Sequence, residues 1–162
     1  MIARDGYQGA RLADVAREAG LTTGAIYSNF RDKQELFLAA FDRVQQLSED
    51  LAVEGSLEEL IESVPAGIKR FSESSKLQIL NMEVALLAAR DEKLRRHLRG
   101  TESQNIDSLA ARLREDLPDR RERATLMLAL VNGLALLRMF GAEDVSLEGV
   151  APALRHLAGL DE

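Results

Sequence analysis

The chain has 162 residues, of which 46% are hydrophobic and 30% charged, with a formal net charge of −6. That is enough apolar material for a self-supporting core in one or two domains. The lack of cysteine excludes disulfides, thiolate nucleophiles and cysteine metal sites. His97 and His156 sit on polar stretches and read as solvated side chains, so neither a metal nor a cofactor is expected. No N-terminal stretch has the charged start and apolar core of a signal peptide, so a cytoplasmic location is expected.

An acidic chain is an unusual nucleic-acid binder, but the charge is uneven. The first 48 residues hold six basic and six acidic side chains, so the acidic excess lies beyond them. A neutral segment can still bind DNA if its cations face phosphates.

Neither alternating patterns nor β-branched runs occur, whereas helical periodicity is nearly continuous, so an all-α fold is predicted. Leu12, Val15, Ala16 and Ala19 form a first apolar stripe, ended by Gly20. Leu21 is suited to fill the angle between this helix and the next. Thr22 can cap the second helix, whose Ile26 and Phe30 lie four apart. A third stripe begins after Asp32, which makes a D-x-x-E capping box with Glu35. It continues through Leu36, Phe37, Ala40, Phe41, Val44, Leu47 and Leu51.

Further helices are predicted near 57–73, 76–90, 92–115, 118–140 and 147–159. Pro65 is expected to kink or split the first of these, because its ring clashes with the carbonyl four residues back. Asp91 caps the helix after it, Pro118 suits a first helical position, Gly141 is a helix stop, and Ser146 caps the last helix. Pro152 lies early in that helix and can bend it. The expected domains are 1–48, a helix-turn-helix reader, and 49–162, a helical ligand-sensing and dimerisation domain.

Between Ala10 and Phe30 the pattern is helix, tight turn, helix. The outward face of the second helix carries Thr23, Gly24, Tyr27 and Ser28, with Asn29 beside it. Such a small, hydroxyl-rich face can enter a major groove. An ordinary helix pair with a polar outside has the same pattern.

The run GYQGARLADVAREAGLTTGAIYSNFRDKQELFLAAF resembles the DNA-binding signature of the tetracycline-repressor (TetR) family. The resemblance is carried by Gly6-Tyr7, Asp14-Val15-Ala16, Ala19-Gly20-Leu21, Gly24-Ala25-Ile26-Tyr27, Phe30, Lys33 and Leu36. It implies that Thr22, Thr23, Tyr27, Ser28, Asn29 and Lys33 touch DNA, with Tyr27 and Lys33 on phosphates. Arg11 stands where the family usually has Thr or Ser. It can still reach a phosphate but is a poor cap. Only Met1 to Asp5 precede Gly6, so the family's first helix is expected to be largely missing and the next two helices short of cover.

The segment 124–140 has only Thr125, Asn132 and Arg138 as polar residues. A helix apolar on all sides must be buried on all sides. A membrane span is disfavoured, because the run is short, Asn132 interrupts it, and Arg123 and Arg138 bracket it. The resemblance implies a homodimer through the last two helices, near 119–140 and 147–160. Asn81 and Glu83 interrupt another apolar stretch, as ligand-orienting groups or as a solvated edge. The basic cluster Arg90, Lys93, Arg95, Arg96 and Arg99 is interleaved with acids and reads as a solvated face.

Phe71, Met82, Leu86, Leu109, Met127 and Asn132 are the candidate lining of a pocket. Its expected guest is a largely apolar small molecule with one or two polar groups, entering near Pro65. No constellation for enzymatic chemistry is present. The expected function is a ligand-responsive repressor on double-stranded operator DNA. The alternative is a helical dimeric ligand-binding or structural protein that cannot bind DNA because its first helix is missing.

Overall fold

The computed structural model describes residues 6–7, 9–53, 55–142 and 144–161, and the side chains of these except 44–53. Among the described residues there are eight helices and no strand. They are α1 (Leu12–Glu18), α2 (Thr23–Tyr27), α3 (Lys33–Val53), α4 (Leu57–Glu73), α5 (Ser75–Arg90), α6 (Glu92–Arg112), α7 (Arg120–Met139) and α8 (Val150–Ala158). Met1–Asp5 and the side chains of Val44, Leu47 and Leu51 lie outside the described residues.

The chain divides into two compact units, Met1–Gly55 and Ser56–Glu162. Helix α3 runs to Val53, so the division falls after it, beyond the 48/49 position suggested by sequence.

In the first unit, Tyr7, Ala10, Ala16, Ile26, Phe37 and Phe41 are buried. Ile26 and Ala16 each present one apolar face of their short helices, and Phe37 and Phe41 recur at one-turn spacing on α3. The Tyr7 and Phe37 rings stand 5.2 Å apart at 57°, a tilted aromatic pair. Leu21, expected inside the helix angle, is instead 55% exposed. The reason is backbone geometry. Gly20 is left-handed at φ +68, and the Leu21 N–H reaches back to the Ala16 carbonyl at 2.8 Å. With the Gly20 N–H on the Arg17 carbonyl at 3.2 Å this is a Schellman stop, which turns the Leu21 side chain outward.

In the second unit, Ile61 and Ile68 of α4, Leu113, Met127 of α7, and Val150, Ala151, Leu154 and Ala158 of α8 form one buried cluster. Each fully buried Ile or Leu contributes on the order of 1.5–3 kcal/mol of hydrophobic stabilisation. Helix α4 begins with a complete capping box: the Glu59 N–H donates to Ser56 Oγ at 3.1 Å, and the Ser56 N–H to the Glu59 carboxylate at 2.8 Å. The helix is not split at Pro65; it continues as a single element to Glu73. Packing of Ile61 and Ile68, one turn either side of the proline, against the core outweighs the local loss of one N–H.

Two helix starts also differ from the sequence reading. Pro118 precedes α7 instead of opening it, because Asp119 takes a left-handed conformation (φ 56, ψ 34) at the cap. Just upstream, two hydrogen bonds from Arg114 at 3.1 and 2.6 Å hold the Asp116 carboxyl below the usual carboxylate range. Ser146 does not cap α8. Its hydroxyl accepts from the Glu148 N–H at 3.2 Å within a turn, and the helix starts three residues after Leu147, behind Gly149. Asp91 caps α6, accepting from the Leu94 N–H at 2.9 Å. Gly141 (φ +90) terminates the chain direction after α7 through bonds to the Arg138 and Leu137 carbonyls.

Candidate DNA interface and sensor surface

The reader face is built by two caps. Thr22 Oγ1 accepts from the Ala25 N–H at 3.1 Å and starts α2. At the other end Ser28 Oγ and Asn29 Nδ2 each donate to the Ala25 carbonyl at 2.9 Å, and Asn29 Nδ2 also lies 3.2 Å from Ser28 Oγ. Ile26 points inward at 4% exposure, and this sets the opposite face outward. Tyr27 is 57% exposed, Gly24, Ser28 and Asn29 are exposed, and Thr23 is half-buried. The outward face is therefore contiguous and polar, on a helix held at both ends.

The cations around it differ in their partners. Arg11 is the extended N-cap residue of α1, has no side-chain cap bond and is exposed. Arg17 pairs with Asp14 at 2.6 Å. Arg31 donates to Glu35, whose hydrogen bond and charge push the guanidinium further toward its protonated form. The capping box at α3 is half as expected. The Glu35 N–H donates to Asp32 Oδ1 at 2.9 Å, and the Glu35 carboxylate accepts from the Arg31 N–H at 2.6 Å, one residue earlier than the box requires.

Lys33 is placed differently from the role its resemblance implied. Its ammonium donates to the Tyr7 carbonyl at 2.6 Å and the Ala10 carbonyl at 3.1 Å, and stands 4.4 Å from the Tyr7 ring centroid. Sequence spacing alone carries no signal for this, because the partners lie 26 and 23 residues away.

The six candidate pocket residues are not brought together. Met127 is 3% exposed in the core, Leu109 packs against that core, Phe71 is half-buried, and Asn132 is exposed. Met82 and Leu86 do share a surface cleft of about 410 Å³ with Ile79 and Glu83 of α5 and with Met139 and Phe140 after α7. This cleft does not reach Pro65. Phe140, at 74% exposure, was missed as a lining residue; its only sequence signal is that it ends the apolar run. Asn81 donates back to the Leu77 carbonyl of its own helix at 2.9 Å.

Helix α7 is not enclosed by its own subunit. Ala124 and Met127 are buried and Leu130, Val131 and Leu134 pack on the core, while Leu126, Leu136, Leu137 and Phe140 are 43–74% exposed. Its bracketing arginines hold neighbouring chain: Arg123 Nη1 donates to the Leu157 carbonyl and Arg138 Nη1 to the Val145 carbonyl, both at 3.0 Å. Among the described residues no helix is long and apolar enough to cross a membrane. His97 and His156 are exposed, His156 Nδ1 lying 3.1 Å from Asp161 Oδ2.

Comparison with known proteins bears on both units. Residues 1–40 match the family model of bacterial regulatory proteins of the tetR family, and residues 55–160 match the tetracyclin repressor-like C-terminal domain. A crystal structure described as a TetR-family transcriptional regulator from Rhodococcus sp. is similar, with a TM-score of 0.69 at 26% identity, over 98% of this chain and 88% of that one. A protein from Saccharomonospora viridis, described as a transcriptional regulator in complex with choline, gives a TM-score of 0.68 at 20% identity over 98% and 89%. At that identity the second likeness shows the fold alone. No curated protein matches the sequence. A capped reader helix with its polar face outward, in a chain whose two halves match the two domains of one family, places this protein in the TetR family of ligand-responsive, DNA-binding transcriptional regulators.

Proposed function

We propose that this chain is a cytoplasmic repressor that binds a two-fold operator as a homodimer and is released by a small, largely apolar molecule. The observation that carries the reading is the outward face of α2. There Tyr27 is exposed and the helix is fixed at both ends, by Thr22 and by Ser28 with Asn29. In this reading Thr23 and Ser28 meet base edges, while Thr22, Tyr27 and Asn29 lie along the backbone, with Arg11 on a neighbouring phosphate.

The dimer reading rests on α7. Leu126, Ala129, Gly133, Leu136 and Phe140 recur at alternating spacings of three and four and are all exposed. That is the seam pattern by which one helix packs against another. Gly133 has open space where a side chain would stand, so the fold of the single chain does not require a glycine there. A second copy of α7 crossing closely at Ala129 and Gly133 accounts for it. The exposed side of α8, with Pro152, Ala153 and His156, would complete the interface.

The effector would enter the second unit, with the cleft at Met82, Leu86 and Phe140 as the candidate entry. Its lining is mainly apolar with few polar groups, as small-molecule sites are. Choline, bound by the Saccharomonospora viridis protein, belongs among the first probes.

The test is selection of bound duplexes from a randomised pool with the full chain. Enrichment of two-fold symmetric sites, half-site centres about 34–36 Å apart, is expected. A pool that stays random through successive rounds would refute operator binding. A thermal-shift screen of small apolar compounds and amines, each hit then tested for operator release, addresses the effector.

A further inference from the structure

We infer that Lys33 is a positioning residue that clasps the chain in front of α1 to the start of α3, and not a phosphate ligand. The reasoning starts from the backbone. Gly6, Tyr7 and Gly9 are helical, and the Ala10 N–H donates to the Gly6 carbonyl at 3.2 Å. At Arg11 the chain turns extended (φ −103, ψ 137), so this helical stretch ends there. Carbonyls at a helix end lack the donors that continuation would supply, and the end carries partial negative charge. A lysine ammonium is the group that satisfies both.

Lys33 meets that end from the first position of α3. Its ammonium donates to the carbonyls of Tyr7 and Ala10, at 2.6 and 3.1 Å, and lies 4.4 Å from the centroid of the Tyr7 ring. The ring in turn packs 5.2 Å from Phe37, one helical turn along α3 from Lys33. One side chain therefore holds two carbonyls and an aromatic face, and Tyr7 is fixed from both sides. The ammonium has three protons, and two are committed to carbonyls. Turning it to a phosphate would strip the helix end of its cation. The reader helices α1 and α2 lie between the two clasped segments in sequence, so the clasp closes the loop that carries them.

The consequence for DNA rests on the operator reading above, whereas the clasp itself is a property of the free protein. Two measurements separate them. In proton NMR of the free chain, the ε-methylene protons of Lys33 are expected upfield of their random-coil position, because the Tyr7 ring shields them. The displacement should vanish in Tyr7→Leu. Random-coil shifts for these protons in the unmodified chain would overturn the clasp, whatever the DNA results.

On the selected operator, Lys33→Met keeps the aliphatic stem and removes the charge. Affinity should fall about tenfold, the size of one lost charge-assisted hydrogen bond, at every salt concentration. The slope of log affinity against log salt should stay that of the unmodified chain. A slope reduced by about 0.9, the signature of one lost phosphate contact, would overturn the positioning role. Lys33→Arg retains charge and donors and is expected to recover part of the affinity. If the unmodified chain selects no operator, the operator reading fails, and the NMR measurement still decides the clasp. That measurement also stands if Lys33→Met does not fold.

Discussion

Arg123 and Leu157 are joined across 34 residues of chain: the Nη1 of Arg123 on α7 donates to the Leu157 carbonyl near the end of α8 at 3.0 Å, while its Nε donates to the Pro118 carbonyl at 3.1 Å. One guanidinium thus ties the turn before α7 to the close of α8. Two fixed donors on a planar group meet two separate carbonyls, which a lysine cannot copy. Arg123→Met should destabilise the second unit by about 1–3 kcal/mol, the range for a hydrogen bond to a charged group. Arg123→Lys should recover less than half of that in urea unfolding.

Close by, Gly159 ends α8 at φ +69, and a Cβ there would stand 2.8 Å from Leu117 Cδ1. The Leu160 N–H reaches the Arg155 carbonyl at 2.9 Å, so the left-handed residue is part of a closed helix stop. Gly159→Ala meets both the left-handed penalty, about 1–2 kcal/mol, and a displaced Leu117. A loss of about 1–3 kcal/mol with a lowered Tm is expected. Gly133→Ala is the control within the same unit. Open space surrounds Gly133, and alanine in a helix interior is better by about 0.5–1 kcal/mol. Any gain in chain stability there should come with weaker dimerisation.

The two leucines of α7 that look alike in sequence should separate on substitution. Leu137 is 50% exposed, whereas Leu134 packs against the core. Leu137→Glu should yield folded monomers. Leu134→Glu should unfold the unit or leave it insoluble, because an unpaired charge would be buried. Sedimentation paired with circular dichroism reads both outcomes. A folded, unmodified chain that stays monomeric at micromolar concentration would exclude the interface.

On the reader face, Tyr27→Phe removes only an exposed hydroxyl. It should weaken binding to all duplexes alike, with stability unchanged. Thr23→Ala should instead alter which bases are preferred, by about 1–3 kcal/mol between the best and the substituted site. Thr22→Ala should act through folding: the lost cap of α2 costs about 1 kcal/mol. Equilibrium binding to a set of single-base operator variants, alongside thermal unfolding of each protein, distinguishes the three.

Local chemistry was legible from the residues themselves. Gly20 stops α1, Thr22 caps α2, Ser56 and Glu59 box the start of α4, and Asp91 caps α6, because each acts within three or four residues of its own position. Helix identity and order followed from apolar spacing for the same reason. The reader face could be drawn once Ile26 was assigned inward, since a short helix has only two sides to choose between.

Contacts between distant parts of the chain were decided only by the folded molecule. Nothing in the spacing of Lys33 says that its ammonium closes the helix end at Tyr7 and Ala10, or that Met127 fills the core while Met82 lies on a surface cleft. Pro65 carries a local instruction to break a helix, and the burial of Ile61 and Ile68 on either side overrides it. Residues 124–140 are apolar all round, so periodicity could not assign their faces. Packing on α4 and α8 did, by covering Ala124, Met127 and Leu134 and leaving Leu126, Leu137 and Phe140 outside. Capping and periodicity act over one helical turn, whereas burial depends on which surfaces meet, and that is settled only when the helices pack.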